Sequence, residues 1–131
     1  MKTINQEVHF DVSPQEVYEA YVDAKKHAEF TGSKVVFENK VGGKFSVWNG
    51  DLEGENLELV DGKKIVQKWR ASDWPAGHYS HLTIDLRPDG DGTKLSLTQL
   101  DVPDDKYDDI SSGWYEYYWE PMEKFFKGAV G

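Results

Sequence analysis

Residues Trp114-Tyr115-Glu116-Tyr117-Tyr118-Trp119-Glu120-Pro121 place five aromatic side chains and a proline within eight positions. On a helical period this segment extends into an apolar stripe, which consists of Ile110, Trp114, Tyr117, Tyr118, Pro121, Met122, Phe125 and Phe126. The stripe covers roughly half of the helix circumference, which is wider than the arc of about 100° that one packed face requires. We expect Trp114, Tyr117 and Tyr118 to face the rest of the domain and Tyr115 and Trp119 to lie on the flank. Because large rings leave irregular gaps, this helix predicts both a core and a cavity wall.

Length and charge exclude several classes of protein. The 131 residues suit a single domain over 1–131, and the absence of cysteine excludes a disulfide framework, a thiolate nucleophile and a cysteine zinc site. The formal net charge of −9 would repel nucleic acids and anionic lipid, so we expect no nucleic acid and no membrane partner. No apolar run approaches a membrane span, and the chain does not open on an apolar stretch. We therefore expect a cytoplasmic protein, a monomer or weak homodimer, whose acidic surface leaves a basic protein partner open.

The N-terminal part of the chain predicts one strand followed by two short helices. Apolar and polar residues alternate over 4–10, which is typical of a strand with one buried face. Ser13 is a suitable N-cap, Pro14 fits the first helical position, and Glu16 completes a capping box. A second short helix is expected over 25–30.

The middle of the chain predicts an antiparallel sheet. Asn49-Gly50 and Asp61-Gly62 are dipeptides that favour turns with positive φ, and they separate the predicted strands 45–48, 52–60 and 64–71. The links are too short for crossover helices, so about six strands after the first should form an antiparallel meander. The fold class is therefore α+β: a six- to seven-stranded curved sheet that must bury one face on the C-terminal helix.

Two residues interrupt the pattern of the final helix. Gly113 costs about 1 kcal/mol relative to alanine within a helix, so the helix either restarts at Ser112 or begins near Asp104 and tolerates the glycine. Pro121 removes one backbone hydrogen bond and predicts a kink in the last turns.

A set of short motifs distributed along the chain resembles one known family. The motifs are Gly42-Gly43-Lys44-Phe45, Gly54, Ile65-Val66-Gln67-Lys68-Trp69-Arg70, Trp74-Pro75-Ala76-Gly77-His78, Thr93-Lys94-Leu95, Pro103 and Gly113-Trp114. Together they resemble the C-terminal domain of the activator of heat shock protein 90 ATPase and its bacterial single-domain homologues, within the START-like, birch-pollen-allergen-like superfamily. The resemblance implies a helix-grip fold, often with an apolar cavity between sheet and helix. It also implies a possible chaperone partner, although stimulation by the eukaryotic activator also involves a separate N-terminal domain.

Eight residues are candidates for binding a ligand in such a cavity. The aromatic candidates are Trp48, Trp69, Trp114, Tyr117 and Tyr118, and the polar candidates are His78, Ser80 and Gln99. If one strand runs from His78, then His78 and Ser80 share its inward face, and Gln99 on the next strand could lie nearby. The alternative is that these three polar side chains are satisfied by backbone or water at the end of the sheet.

Signatures of catalysis are mostly missing from the sequence. There is no phosphate-binding glycine loop, nucleophile elbow or helical histidine pair, and we expect no metal and no cofactor. Three functions stay open. The first is a binding protein for a small hydrophobic or aromatic ligand, the second a protein that interacts with a heat shock protein 90 type chaperone, and the third a polyketide-cyclase-like enzyme using His78 with Asp101 or Tyr117.

Overall fold

The computed structural model describes residues 1–130, and the side chains of residues 1–128. Seven strands and a segmented C-terminal helix follow one another in the order expected from the sequence. The elements are β1 (Lys2–Phe10), α1 (Pro14–Val22), α2 (Ala24–Thr31), β2 (Val35–Phe37), β3 (Lys44–Val47), β4 (Leu52–Val60), β5 (Lys64–Ala71), β6 (Ser80–Asp89), β7 (Gly92–Val102), a 3-10 turn (Asp104–Lys106), α3 (Tyr107–Trp114), a π-helical turn (Tyr115–Trp119) and α4 (Glu120–Val130).

The strands form one antiparallel sheet in the order β1-β7-β6-β5-β4-β3-β2. From β2 to β7 each strand pairs with the next one in the chain, so the predicted meander is confirmed. The helices α1 and α2 carry the chain from one edge of the sheet to the other. The C-terminal helix, residues 104–130, packs in the curve of the sheet, and this arrangement is the predicted helix grip.

The N-cap and the first position of α1 are those that the sequence predicts, and a glycine ends α2. The hydroxyl of Ser13 accepts a hydrogen bond from the backbone N–H of Glu16 at 3.2 Å, and Pro14 begins α1. Gly32 ends α2 in the left-handed region at φ 69°.

The C-terminal helix begins at Asp104, so it includes Gly113 rather than restarting at Ser112. Its irregularity falls directly before the proline. The backbone N–H of Glu120 bonds to the carbonyl of Tyr115, five residues back. Pro121 has no N–H to donate, and in a regular α-helix its ring would crowd the carbonyl four residues earlier, so a wider turn at this place relieves the conflict.

This π turn overturns two of the predicted side-chain positions. Trp119 was expected on the flank, but it is only 3% exposed, and its ring stacks on Trp114 at 5.3 Å between centroids. Tyr117 was expected to face the sheet, but it is 52% exposed. The physical reason is that a turn closed between residues i and i+5 brings positions 114 and 119 to the same face and rotates position 117 outward.

Candidate functional site

Two buried glutamines fix the aromatic helix to the sheet. The indole N–H of Trp114 donates to Oε1 of Gln99 at 2.9 Å, and the indole N–H of Trp119 donates to Oε1 of Gln6 at 2.8 Å. The amide of Gln99 in turn donates to the hydroxyl of Ser80 at 3.0 Å. Because each buried polar atom in these contacts has a partner, the two indole rings are held in one orientation.

An aromatic cavity of about 390 Å³ lies between the first half of the C-terminal helix, the β3–β4 turn and β5. Five of its lining residues are aromatic, and they are Trp48, Trp69, Trp114, Tyr117 and Tyr118. Trp69, Trp114 and Tyr118 are buried, whereas Trp48 is half-buried and Tyr117 is exposed. The buried rings therefore form the inner wall, and the other two form the mouth.

The remaining lining residues divide into apolar and acidic ones. Leu52, Ile110 and Gly113 add to the apolar wall, and Asp51 and Asp109 are exposed at the mouth. Gly113 contributes open space, because a Cβ added there would meet only the ring of Tyr117, at an ordinary 3.7 Å. The glycine that weakens the helix thus lies where a side chain would enter the cavity.

Trp48 reaches the cavity from a turn of unusual backbone conformation. Strand β3 ends at Val47, one residue earlier than predicted, and Trp48, Asn49 and Gly50 all have positive φ, at 52°, 54° and 92°. A bulky residue in the left-handed region costs free energy, and such residues concentrate at binding and switch sites. The ring of Trp48 makes edge contacts with Tyr117 at 5.7 Å and with Tyr118 at 6.1 Å.

Of the eight predicted site residues, the five aromatic ones line this cavity and the three polar ones do not. Ser80 and Gln99 lie together as predicted, but they bond to each other, to the Trp69 carbonyl at 2.7 Å and to Trp114. The predicted strand start at His78 was wrong, because β6 begins only at Ser80. His78 lies in the preceding loop, where its Nε2 contacts the main-chain oxygen of Asp101 at 2.8 Å.

A buried histidine behind the cavity escaped the sequence analysis. Nδ1 of His27 lies 2.8 Å from the carbonyl oxygen of Tyr21, and its Nε2 lies 2.8 Å from the hydroxyl of Tyr118. Since a carbonyl only accepts, Nδ1 of the neutral ring carries the proton, and Nε2 accepts from Tyr118. Burial lowers the pKa of His27 to about 4 and raises the pKa of Tyr118. The sequence signal that indicates burial of His27 is its spacing of three residues from Phe30, which puts both side chains on one face of the helix.

Within residues 1–130, no helix is both long and apolar enough to cross a bilayer. Over the same residues, no three His, Cys, Asp or Glu side chains lie close enough together to hold a metal ion.

Comparison with known proteins agrees with this architecture. The model of the family described as Activator of Hsp90 ATPase homolog 1-like protein matches residues 11–127. The chain is 38% identical over 114 residues to the Activator of 90 kDa heat shock protein ATPase homolog of Dictyostelium discoideum, covering 86% of this chain and 30% of that protein. It is 32% identical over 117 residues to the human homolog 1, covering 89% of this chain and 35% of that protein. The chain thus spans about a third of the length of these curated relatives.

Solved structures show the same fold. A crystal structure of an HSP90 activator from Plasmodium falciparum superposes with a TM-score of 0.89 at 29% identity, covering 97% of both chains. CalU16 from Micromonospora echinospora superposes with a TM-score of 0.81 at 20% identity, covering 94% of this chain and 74% of that one. The second likeness concerns the fold alone. From the family match over 11–127 and the relatives above 30% identity, the chain belongs to the Activator of Hsp90 ATPase homolog 1-like family.

Proposed function

We propose that this protein binds a small hydrophobic or aromatic molecule in the cavity beneath the C-terminal helix. The observation that carries the proposal is a space of about 390 Å³ with five aromatic lining residues. Ligand sites in proteins are concave, mostly apolar and about 300–1,000 Å³ in volume, and the cavity meets each of these criteria.

The inner wall is rigid, which favours binding. Trp114 is held by its hydrogen bond to Gln99 and by its stack on Trp119, and Trp69 packs on Trp114 at 5.7 Å. A wall whose rotamers are already fixed loses little conformational entropy when a ligand enters. The mouth differs, since Trp48 and Tyr117 contact each other by ring edges and are partly exposed. Ligand entry would therefore displace these two rings rather than the inner wall.

Gly113 and Gly128 provide a matched pair of variants to test the proposal. Both are helical glycines, but Gly113 lines the cavity, and a side chain added at Gly128 meets nothing within 4 Å. In the variant Gly113→Leu, the new side chain should project into the cavity and occupy surface that the ligand would otherwise contact. The affinity for the ligand should therefore fall about 5- to 30-fold. Gly128→Leu should leave affinity unchanged.

The assay is titration with the neutral ring compound 1-naphthol, followed by tryptophan fluorescence. Circular dichroism of both leucine variants serves to check that they keep their helices. Equal affinity in the wild type and both variants would show that ligand does not occupy this cavity. Absence of saturable binding by the wild type to a set of small aromatic compounds, neutral and charged, would also reject the proposal.

A second proposed function is interaction with a heat shock protein 90 type chaperone. The support is the identity of 38% and 32% to proteins named as activators of the 90 kDa heat shock protein ATPase. The test adds purified chain to an Hsp90-type chaperone of the same organism and measures association and ATP hydrolysis, with serum albumin as the control. Association at micromolar concentration together with faster hydrolysis is expected. No association at that concentration would reject this function and leave the ligand proposal unaffected.

A further inference from the structure

The charges at the mouth of the aromatic cavity are all negative. Asp51, at the end of the β3–β4 turn, and Asp109, in the first turns of the C-terminal helix, are the two ionisable acids in the lining. In the part of the chain that the structure describes, no lysine, arginine or histidine lines the cavity. The site therefore combines rings with carboxylates and has no counter-charge of its own.

Neither carboxylate is in direct contact with a cation of the described residues, and the ammonium of Lys106 interacts with Asp109 only through space, over a longer distance. Among residues 1–128 neither forms an ion pair within 4 Å, and the only side-chain hydrogen bond to Asp51 is a long one of 3.4 Å from the hydroxyl of Ser72. Basic residues adjacent to these elements bind elsewhere. The guanidinium of Arg70 donates to the carbonyl of Trp74 at 2.9 Å, and Nζ of Lys106 pairs with Asp73 at 3.0 Å.

The other electrostatic features of the cavity also favour a positive charge. The faces of aromatic rings carry negative partial charge and attract ammonium groups within about 6 Å of the ring centre. The positive end of the C-terminal helix would favour an anion, but Asp105 and Asp108 occupy its first turns and offset that charge, whereas Asp104 pairs with the N-terminal ammonium at 2.9 Å. A ligand anion would face Asp51 and Asp109 with nothing to balance it.

From these observations we infer that the ligand of the cavity is a small organic cation, namely an amine or quaternary ammonium carried on an aromatic or alkyl body. The inference rests on the proposed function, because it concerns the same cavity. The apolar body occupies the wall formed by Trp69 and Trp114, and the cationic group lies at the mouth, between the rings of Trp48 and Tyr117 and the two carboxylates. The net charge of −9 further raises the rate at which cations encounter the protein.

Two ligands of nearly equal shape distinguish the effect of the ligand's charge on affinity from the effect of filling the cavity. Phenyltrimethylammonium is a cation, and tert-butylbenzene is its neutral carbon counterpart. Binding of each is measured at low ionic strength, where screening is weakest, to the wild type, Asp51→Asn, Asp109→Asn and the double variant. Asp91→Asn is the matched control, because it removes the same charge from an exposed position in the β6–β7 turn, at the opposite end of the sheet.

Both ligands should bind the wild type. Each of the two mouth substitutions should weaken cation binding about two- to fivefold. In the double variant the loss of affinity for the cation should be about the product of the two single losses. The affinity for the neutral ligand should change little in all three variants. The substitution Asp91→Asn should affect neither. If the neutral ligand binds but the mouth substitutions do not weaken the cation selectively, the charge inference is overturned while the proposed function survives. If neither ligand binds the wild type, both are overturned.

Discussion

Acidification should destabilise this protein through one buried side chain, His27. Its ring is 1% exposed and is surrounded by uncharged rings, with Phe30 stacked on it at 5.0 Å and Tyr21, Tyr118 and Phe37 at 5.1, 5.3 and 6.0 Å. Protonation would bring an uncompensated charge into this cluster. It would also place a proton on Nε2, so that the hydroxyl of Tyr118 could no longer donate to that atom.

The sign and size of the effect follow from the pKa of His27. Burial lowers the pKa to about 4 in the folded protein, compared with 6.5 for an ordinary histidine. Between these two values the unfolded chain binds a proton that the folded chain does not, so the free energy of unfolding falls as the pH falls. The difference of about 2.5 pH units, at 1.36 kcal/mol each, corresponds to a loss of about 3 kcal/mol. The contribution is fully present above pH 6.5 and is lost by about pH 4.

The assay is urea unfolding at pH 7, 6, 5 and 4, followed by tryptophan fluorescence, for the wild type and His27→Gln. Glutamine offers an amide donor and acceptor but does not titrate in this range. Titration of the carboxylates affects both proteins alike, so the stability of the wild type relative to the variant isolates His27. This difference should fall by about 3 kcal/mol from pH 7 to pH 4. Parallel stability profiles for the two proteins would refute the reasoning.

Three further substitutions have defined consequences for the free energy of unfolding, each measurable by chemical denaturation. Gln99→Leu should cost about 1–3 kcal/mol, since it leaves the indole N–H of Trp114 buried without an acceptor; an unchanged stability would show that this hydrogen bond is dispensable. Gly54→Ala should cost at least about 3 kcal/mol, because the new Cβ would overlap the carbonyl oxygen of Lys68 on the neighbouring strand. A variant with the free energy of unfolding of the wild type would contradict the close approach of these two strands. Gly113→Ala should instead stabilise the protein by up to about 1 kcal/mol, and a loss of stability would show that the position cannot hold a methyl group.

Much of the fold could be predicted because its signals are local. Ser13 and Pro14 mark the start of a helix through their own hydrogen bonding and fixed φ, and Asp61-Gly62 marks a hairpin through the positive φ of its glycine, at 70°. Such signals also determine the strand count, and the short links then leave an antiparallel meander as the remaining topology. The five aromatic residues of the cavity followed from periodicity combined with the family resemblance.

The predictions that were wrong concern backbone geometry that cannot be read from the period of a helix or a strand. A single π turn exchanges the exposures of Tyr117 and Trp119, and Pro121 indicated an irregularity without giving its form. The predicted role of His78 depended on a strand that begins two residues later than assumed. His27 was overlooked because its importance arises from Tyr118, 91 residues away in the chain.

The most direct test of ligand binding in the cavity is to map amide and indole chemical shifts of labelled protein during titration with 1-naphthol. The proposal predicts saturable shifts that cluster on Trp48, the indole of Trp69 and residues 113–118. Shifts that never saturate, or that cluster on the groove of Phe30 and Phe125 between α2 and α4, would contradict it.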